Sequence, residues 1–121
     1  MQILIIEDRR EQARLIQKII QKNSKHQVMC CEDAFDGFAI IKALSSLDVV
    51  ILDNELPFAN GKEFLQKLKS TESLKNVPVV MITANDDYDS FKDIGADFCL
   101  HKPFSRDDIM NILDQIEDED L

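Results

Sequence analysis

The chain has 121 residues, 45% of them hydrophobic, and a net charge of −9. That suits one packed domain over residues 1–121 and excludes wholesale disorder. So acidic a chain, without a Lys/Arg cluster, repels a phosphate polyanion, so nucleic acid is excluded as a direct partner. No apolar run approaches the ~20 residues that span a bilayer, and Met1 leads almost at once into an apolar strand with no signal peptide before it. Cys30, Cys31 and Cys99 lack a metal-type spacing. The expectation is a cytoplasmic protein with no membrane partner, its thiols reduced and packed in strands.

The first predicted element is a strand over Ile3–Glu7, apolar at every position from Ile3 to Ile6. A helix follows whose Ala13, Ile16 and Ile20 share one face, widened by Leu15 and Ile19. Further strands are predicted at Gln27–Cys31, Val49–Asp53, Val79–Thr83 and Phe98–His101. The runs Val49–Leu52 and Val79–Ile82 are again apolar throughout, the pattern of parallel strands covered on both faces by helices. Asn60 with Glu63 suggests a capped third helix, and Ser105 with Asp108 a capped last one. Ile109, Ile112, Leu113 and Ile116 give that last helix its apolar face, and residues 117–121 read as a solvated, frayed acidic tail. The order is βα repeated five times: an α/β, doubly wound, five-stranded parallel sheet.

In such sheets ligands bind beyond the carboxyl ends of the strands. Those ends carry Glu7-Asp8, Asp53, Thr83 and Lys102-Pro103. With a strand order of 2-1-3-4-5 they share one crevice. Three converging carboxylates repel one another, and a hard divalent cation such as Mg²⁺ relieves that repulsion. Lys102 and Thr83 add donors for an anion, which completes the parts that phosphoryl transfer requires. Each piece also has a plainer reading. Asp8 can cap the first helix and Thr83 the next, Asp53 can be a turn residue, and Lys102-Pro103 a surface turn.

Taken together, these residues resemble the receiver domain of bacterial response regulators, from Ile3 to about Ile116. The resemblance rests on Glu7-Asp8 and on the stretch from Asp48 through Asp53 and Pro57 to Gly61. It is extended by Ala34-x-Asp36-Gly37, Thr83-Ala84, Gly95-Ala96-Asp97 and Lys102-Pro103-Phe104. It implies a flavodoxin-like fold and a phosphoryl group accepted on Asp53 from a histidine kinase or phosphotransfer protein. It further implies Mg²⁺ held by Glu7, Asp8, Asp53 and the backbone carbonyl of Glu55. Lys102 would pair with the phosphoryl group, Thr83 would move to bond it, and the Lys102–Pro103 bond would be cis. Glu55 and Asn85, by the same resemblance, tune access of water to that group.

Two departures fall on the face through which the family signals. Cys99 stands where an aromatic switch residue is usual, and Phe98 beside it points to the opposite face of its strand. The stretch from Thr83 to Gly95 is about one helical turn short, so a stunted fourth helix is expected. The reading is a stand-alone switch that signals to an unknown downstream protein by contact and catalyses only its own phosphorylation and dephosphorylation. Two alternatives use the same residues: a constitutive docking module that has lost the switch, and a small Mg²⁺-dependent phosphatase with Asp53 as nucleophile.

Overall fold

A computed structural model describes residues 1–44, 46–54, 61–84 and 88–119. The strands are β1 (Gln2–Ile6), β2 (Gln27–Cys31), β3 (Val49–Asp53), β4 (Val79–Thr83) and β5 (Phe98–His101). Between and after them run α1 (Arg10–Asn23), α2 (Ala34–Ala43), α3 (Gly61–Ser70), α4 (Tyr88–Asp93) and α5 (Arg106–Glu119). All strand pairs are parallel and the order is β2-β1-β3-β4-β5. Every residue of β3 and β4 is buried, as continuous apolar runs require. β1 starts one residue earlier than predicted because Gln2 pairs with Gln27, and Glu7 still donates its N–H to the Cys31 carbonyl at 3.0 Å.

Two apolar layers sandwich the sheet. One contains Leu4, Ile6, Val50, Leu52, Phe64, Leu65, Leu68 and Phe91. The other contains Ile3, Ile5, Ile16, Ile20, Val49, Ile51, Ile109 and Leu113. Cys99 packs toward the first and Phe98 toward the second, as strand alternation demands. The fourth helix is short, and the fully buried Phe91 anchors it.

Four local expectations are corrected or sharpened. Leu15 does not widen the apolar face of α1: it is 51% exposed, rotated past the edge of the stripe that Ala13, Ile16 and Ile20 bury. Cys30 does not pack in the interior either, because β2 is an edge strand and presents that side chain to solvent. The acidic end is not frayed through residues 117–119, since α5 continues to Glu119. There Glu117 lies 3.5 Å from His26, whose Nδ1 meets the N-terminal ammonium at 2.9 Å. The Ser105 cap is formed as expected: the Asp108 N–H donates to Ser105 Oγ at 3.1 Å, and the Ser105 N–H donates to Asp108 Oδ2 at 2.9 Å. Asn60 lies outside the described residues.

Gly95-Ala96-Asp97 has a structural role at the opposite end of the sheet from the crevice. Gly95 adopts φ +110°, and a Cβ there would sit 2.8 Å from Lys69 Cγ. The Lys69 ammonium donates to the Val77 carbonyl at 2.9 Å, the Lys75 carbonyl at 3.2 Å and Asp97 Oδ2 at 3.1 Å. Asp97 Oδ2 also accepts from the Val79 N–H at 2.8 Å, which ties the start of β4 to the start of β5.

Candidate functional site

Asp53 ends β3 at the centre of the sheet and is only 3% exposed. Glu7 follows the neighbouring β1 and is 1% exposed. Asp8, the next residue, is exposed, yet one carboxylate oxygen from each of the three acids falls within 4.8 Å of the others. Asp8 is not spent as a helix cap, because the capping position of α1 is Arg9 and no side chain bonds there. Thr83 ends β4 beside Asp53 and is buried. Lys102 follows β5 and places Nζ 3.4 and 3.3 Å from Asp53 Oδ1 and Oδ2. The Lys102–Pro103 peptide is cis. The four strand ends thus bring Glu7, Asp8, Asp53, Thr83 and Lys102 into one crevice. Glu55 and Asn85 lie outside the described residues.

The electrostatics of the crevice are unsettled in a specific way. Glu7 Oε1 accepts the Arg9 N–H at 3.1 Å, but Glu7 Oε2 is buried with no hydrogen-bond partner among the described residues. Burial, then the approach of Asp53, pushes the Glu7 carboxyl up from 4.5 to about 8, with the Arg9 bond and the Lys102 charge opposing. A carboxylate oxygen at that position wants a cation; without one, a proton is held instead. A buried carboxylate pair with an orphaned oxygen and an exposed third acid fits a hard cation that takes oxygen ligands and keeps water on its open side.

Gly61 supports the site from outside the charged set. Its N–H donates to the Asn54 carbonyl at 2.9 Å, and a Cβ there would lie 2.7 Å from Asn54 Cα and 2.9 Å from the Asp53 carbonyl. Any larger residue at the start of α3 would push against the end of β3. Sequence reading missed His101. It pairs in register with Thr83, and its Nε2 lies 3.1 Å from the Ala84 carbonyl at the rim of the crevice. Its position just before Lys102, at the end of the strand beside β4, was the available signal.

A doubly wound sheet with acids beyond β1 and β3, a hydroxyl beyond β4 and a lysine beyond β5 has the residue types that a phosphoacceptor crevice requires. The chain matches the response regulator receiver domain over residues 3–114 and belongs to that family. It is 36% identical over 113 residues to the response regulator ArlR of Staphylococcus aureus (strain Mu50), covering 90% of this chain and 49% of ArlR. It is 27% identical over 106 residues to the response regulator Rcp1 of Synechocystis, covering 82% of this chain and 70% of Rcp1. This chain therefore spans about half the length of ArlR. Its fold is similar to that of the chemotaxis response regulator CheY4 of Vibrio cholerae, with TM-score 0.86, 22% identity, and 95% and 97% of the two chains covered. It is also similar to the Francisella response regulator 1452 receiver domain, with TM-score 0.89, 22% identity, and 99% and 98% covered. No helix among the described residues is long and apolar enough to cross a membrane.

Proposed function

We propose that this chain is a phosphorylation switch in which Asp53 takes a phosphoryl group from a phosphohistidine on a histidine kinase or phosphotransfer protein. The observation that carries the reading is the buried Asp53 carboxylate, with Lys102 over both its oxygens and the orphaned Glu7 Oε2 beside it. An Asp53 oxygen forms the new P–O bond as the P–N bond to the donor imidazole breaks, and the imidazole leaves with its electron pair to be protonated. Lys102, already at the carboxylate, is placed to follow the charge onto the phosphoryl oxygens. Thr83 is the neighbouring hydroxyl that can donate to one of those oxygens once its loop shifts. Glu7, Asp8 and Asp53, with the Glu55 carbonyl, would hold Mg²⁺. That ion supplies neutralisation of the charge that builds up on the transferred oxygens.

The rim beside this crevice supports contact with a phosphoryl donor. Exposed Leu15 of α1 and Gln12 line an open cavity of about 360 Å³ together with Lys102, Pro103 and Phe104. An apolar side chain from a partner can seat there while its reactive group reaches Asp53.

The test is incubation with Mg²⁺ and acetyl phosphate or phosphoramidate, followed by intact mass. A labile phosphoryl adduct is expected on the wild type, with a loss of more than about hundredfold in Asp53→Asn. Absence of any adduct together with absence of Mg²⁺ binding would sink the switch and favour a constitutive docking role. Steady turnover of other phosphate esters would favour a phosphatase.

A further inference from the structure

The motif Ala34-x-Asp36-Gly37 places at its variable position Phe35, which is 68% exposed and the most exposed large apolar side chain among the described residues. It rims a groove of about 480 Å³ between α2 and α3, away from the phosphoacceptor crevice. The floor is aromatic: Phe38 of α2 meets Phe64 of α3 edge to face, with centroids 6.2 Å apart. Two ammonium groups sit on the same ring, Lys42 from α2 at 4.9 Å and Lys67 from α3 at 4.6 Å from the Phe38 centroid. Both lysines belong to the last turns of their helices, so the basic pair marks one end of the groove, while Glu63 lies toward the start of α3.

Among the described residues no carboxylate pairs with either Lys42 or Lys67, although the chain as a whole carries a charge of −9. Two like charges held on one ring repel, and a carboxylate placed between them removes that repulsion. A large exposed aromatic beside an aromatic floor is the composition of a binding hot spot, and lysines without a carboxylate partner among the described residues at its edge select the partner's sign.

We propose that the α2–α3 groove docks an acidic, apolar-anchored segment of a partner protein. Its anchor packs on Phe35 and Phe38, and its carboxylates lie over Lys42 and Lys67. This surface is separate from the crevice and does not depend on Asp53 accepting a phosphoryl group. It is linked to the crevice through α3, whose first residue Gly61 donates its N–H to the Asn54 carbonyl at 2.9 Å, next to Asp53.

The experiment is a nitrogen-15 NMR titration of the full chain with two synthetic amphipathic peptides. Both carry the same Leu/Phe anchors, one flanked by Glu and the other by Lys. Saturable shifts confined to the amides of α2 and α3 are expected with the Glu peptide, which should bind about tenfold more tightly than the Lys peptide. The double variant K42E/K67E should invert that preference, and Phe35→Ser should weaken both peptides by about tenfold. All three positions are solvent-facing, so these variants should fold, which the rest of each spectrum checks directly. Absence of saturation at about 1 mM Glu peptide would overturn the proposal. Equal affinity for the two peptides would do so as well. Concentration-dependent dimerisation abolished by Phe35→Ser would replace the acidic segment with a second copy of this chain. The acetyl phosphate assay on K42E/K67E keeps the two readings apart: adduct formation at wild-type yield is expected whichever way the titration falls.

Discussion

The two ends of the same sheet treat charge in opposite ways. At the amino end, Lys69 makes three bonds between 2.9 and 3.2 Å, and Asp97 accepts both from that lysine and from a buried backbone N–H. At the carboxyl end, Lys102 reaches Asp53 only at 3.3 and 3.4 Å, and a buried oxygen of Glu7 accepts nothing among the described residues. One end is paired and closed. The other gathers three acids beside one lysine and leaves a buried carboxyl oxygen without a partner among the described residues, the incompleteness on which the proposed uptake of a cation and a phosphoryl group rests. Stability and readiness to bind are thus kept at opposite ends of the strands.

Breaking the paired end should cost more stability than any substitution at the rim. Asp97→Ala leaves the Val79 N–H without its acceptor at a fully buried residue and strips Lys69 of its carboxylate. A loss of about 1–3 kcal/mol is expected in urea denaturation, with the phosphoryl adduct still formed at wild-type yield. An adduct lost in step with stability would show that the two ends are not independent.

The crevice should show its frustration as a pH dependence. Folding raises the Glu7 carboxyl from 4.5 to about 8, so between those values the folded, metal-free chain binds a proton that the unfolded chain releases. Stability therefore falls as pH rises through that window, because the native state is the one that binds more protons. Melting temperatures without Mg²⁺ should decline from about pH 5 to pH 8, and Glu7→Gln should flatten the decline. Added Mg²⁺ should raise the melting temperature more at pH 8 than at pH 6, since the cation replaces the proton. A profile that is flat in the wild type would contradict the raised Glu7 carboxyl.

The smallest effect on stability belongs to the rim. Leu15→Gln should shift unfolding by no more than about 0.5 kcal/mol, whereas Ile16→Ala one position away should cost about 2–5 kcal/mol. Leu15 is half exposed and Ile16 is fully buried, so similar losses in the two variants would contradict the packing of α1.

Much of this was legible because the signals are local. Val49–Asp53 and Val79–Thr83 read as buried strands from unbroken apolar runs, and the Ser105–Asp108 cap from its spacing alone. Leu15 was misread because a helical stripe has edges, and only the packed neighbours decide where the edge falls. Cys30 was misread because a side chain's fate on a strand depends on whether another layer covers that face. The acidic end was read as frayed from its composition, whereas α5 carries it as helix toward His26, a contact that no local pattern announces.

The sequence by itself determined the alternation of strands and helices, the short α4, and which strand ends carry Glu7, Asp8, Asp53, Thr83 and Lys102. It did so because periodicity and capping act over a few residues. The strand order that puts β1 between β2 and β3 was already expected and is found, but the tertiary structure alone decided that Lys102 faces both oxygens of Asp53 and that Glu7 Oε2 is buried without a partner among the described residues. It also decided that Phe35 stands open beside two lysines from different helices. Those facts join residues far apart in the chain, and only closure of the fold sets the distances and the exclusion of water between them.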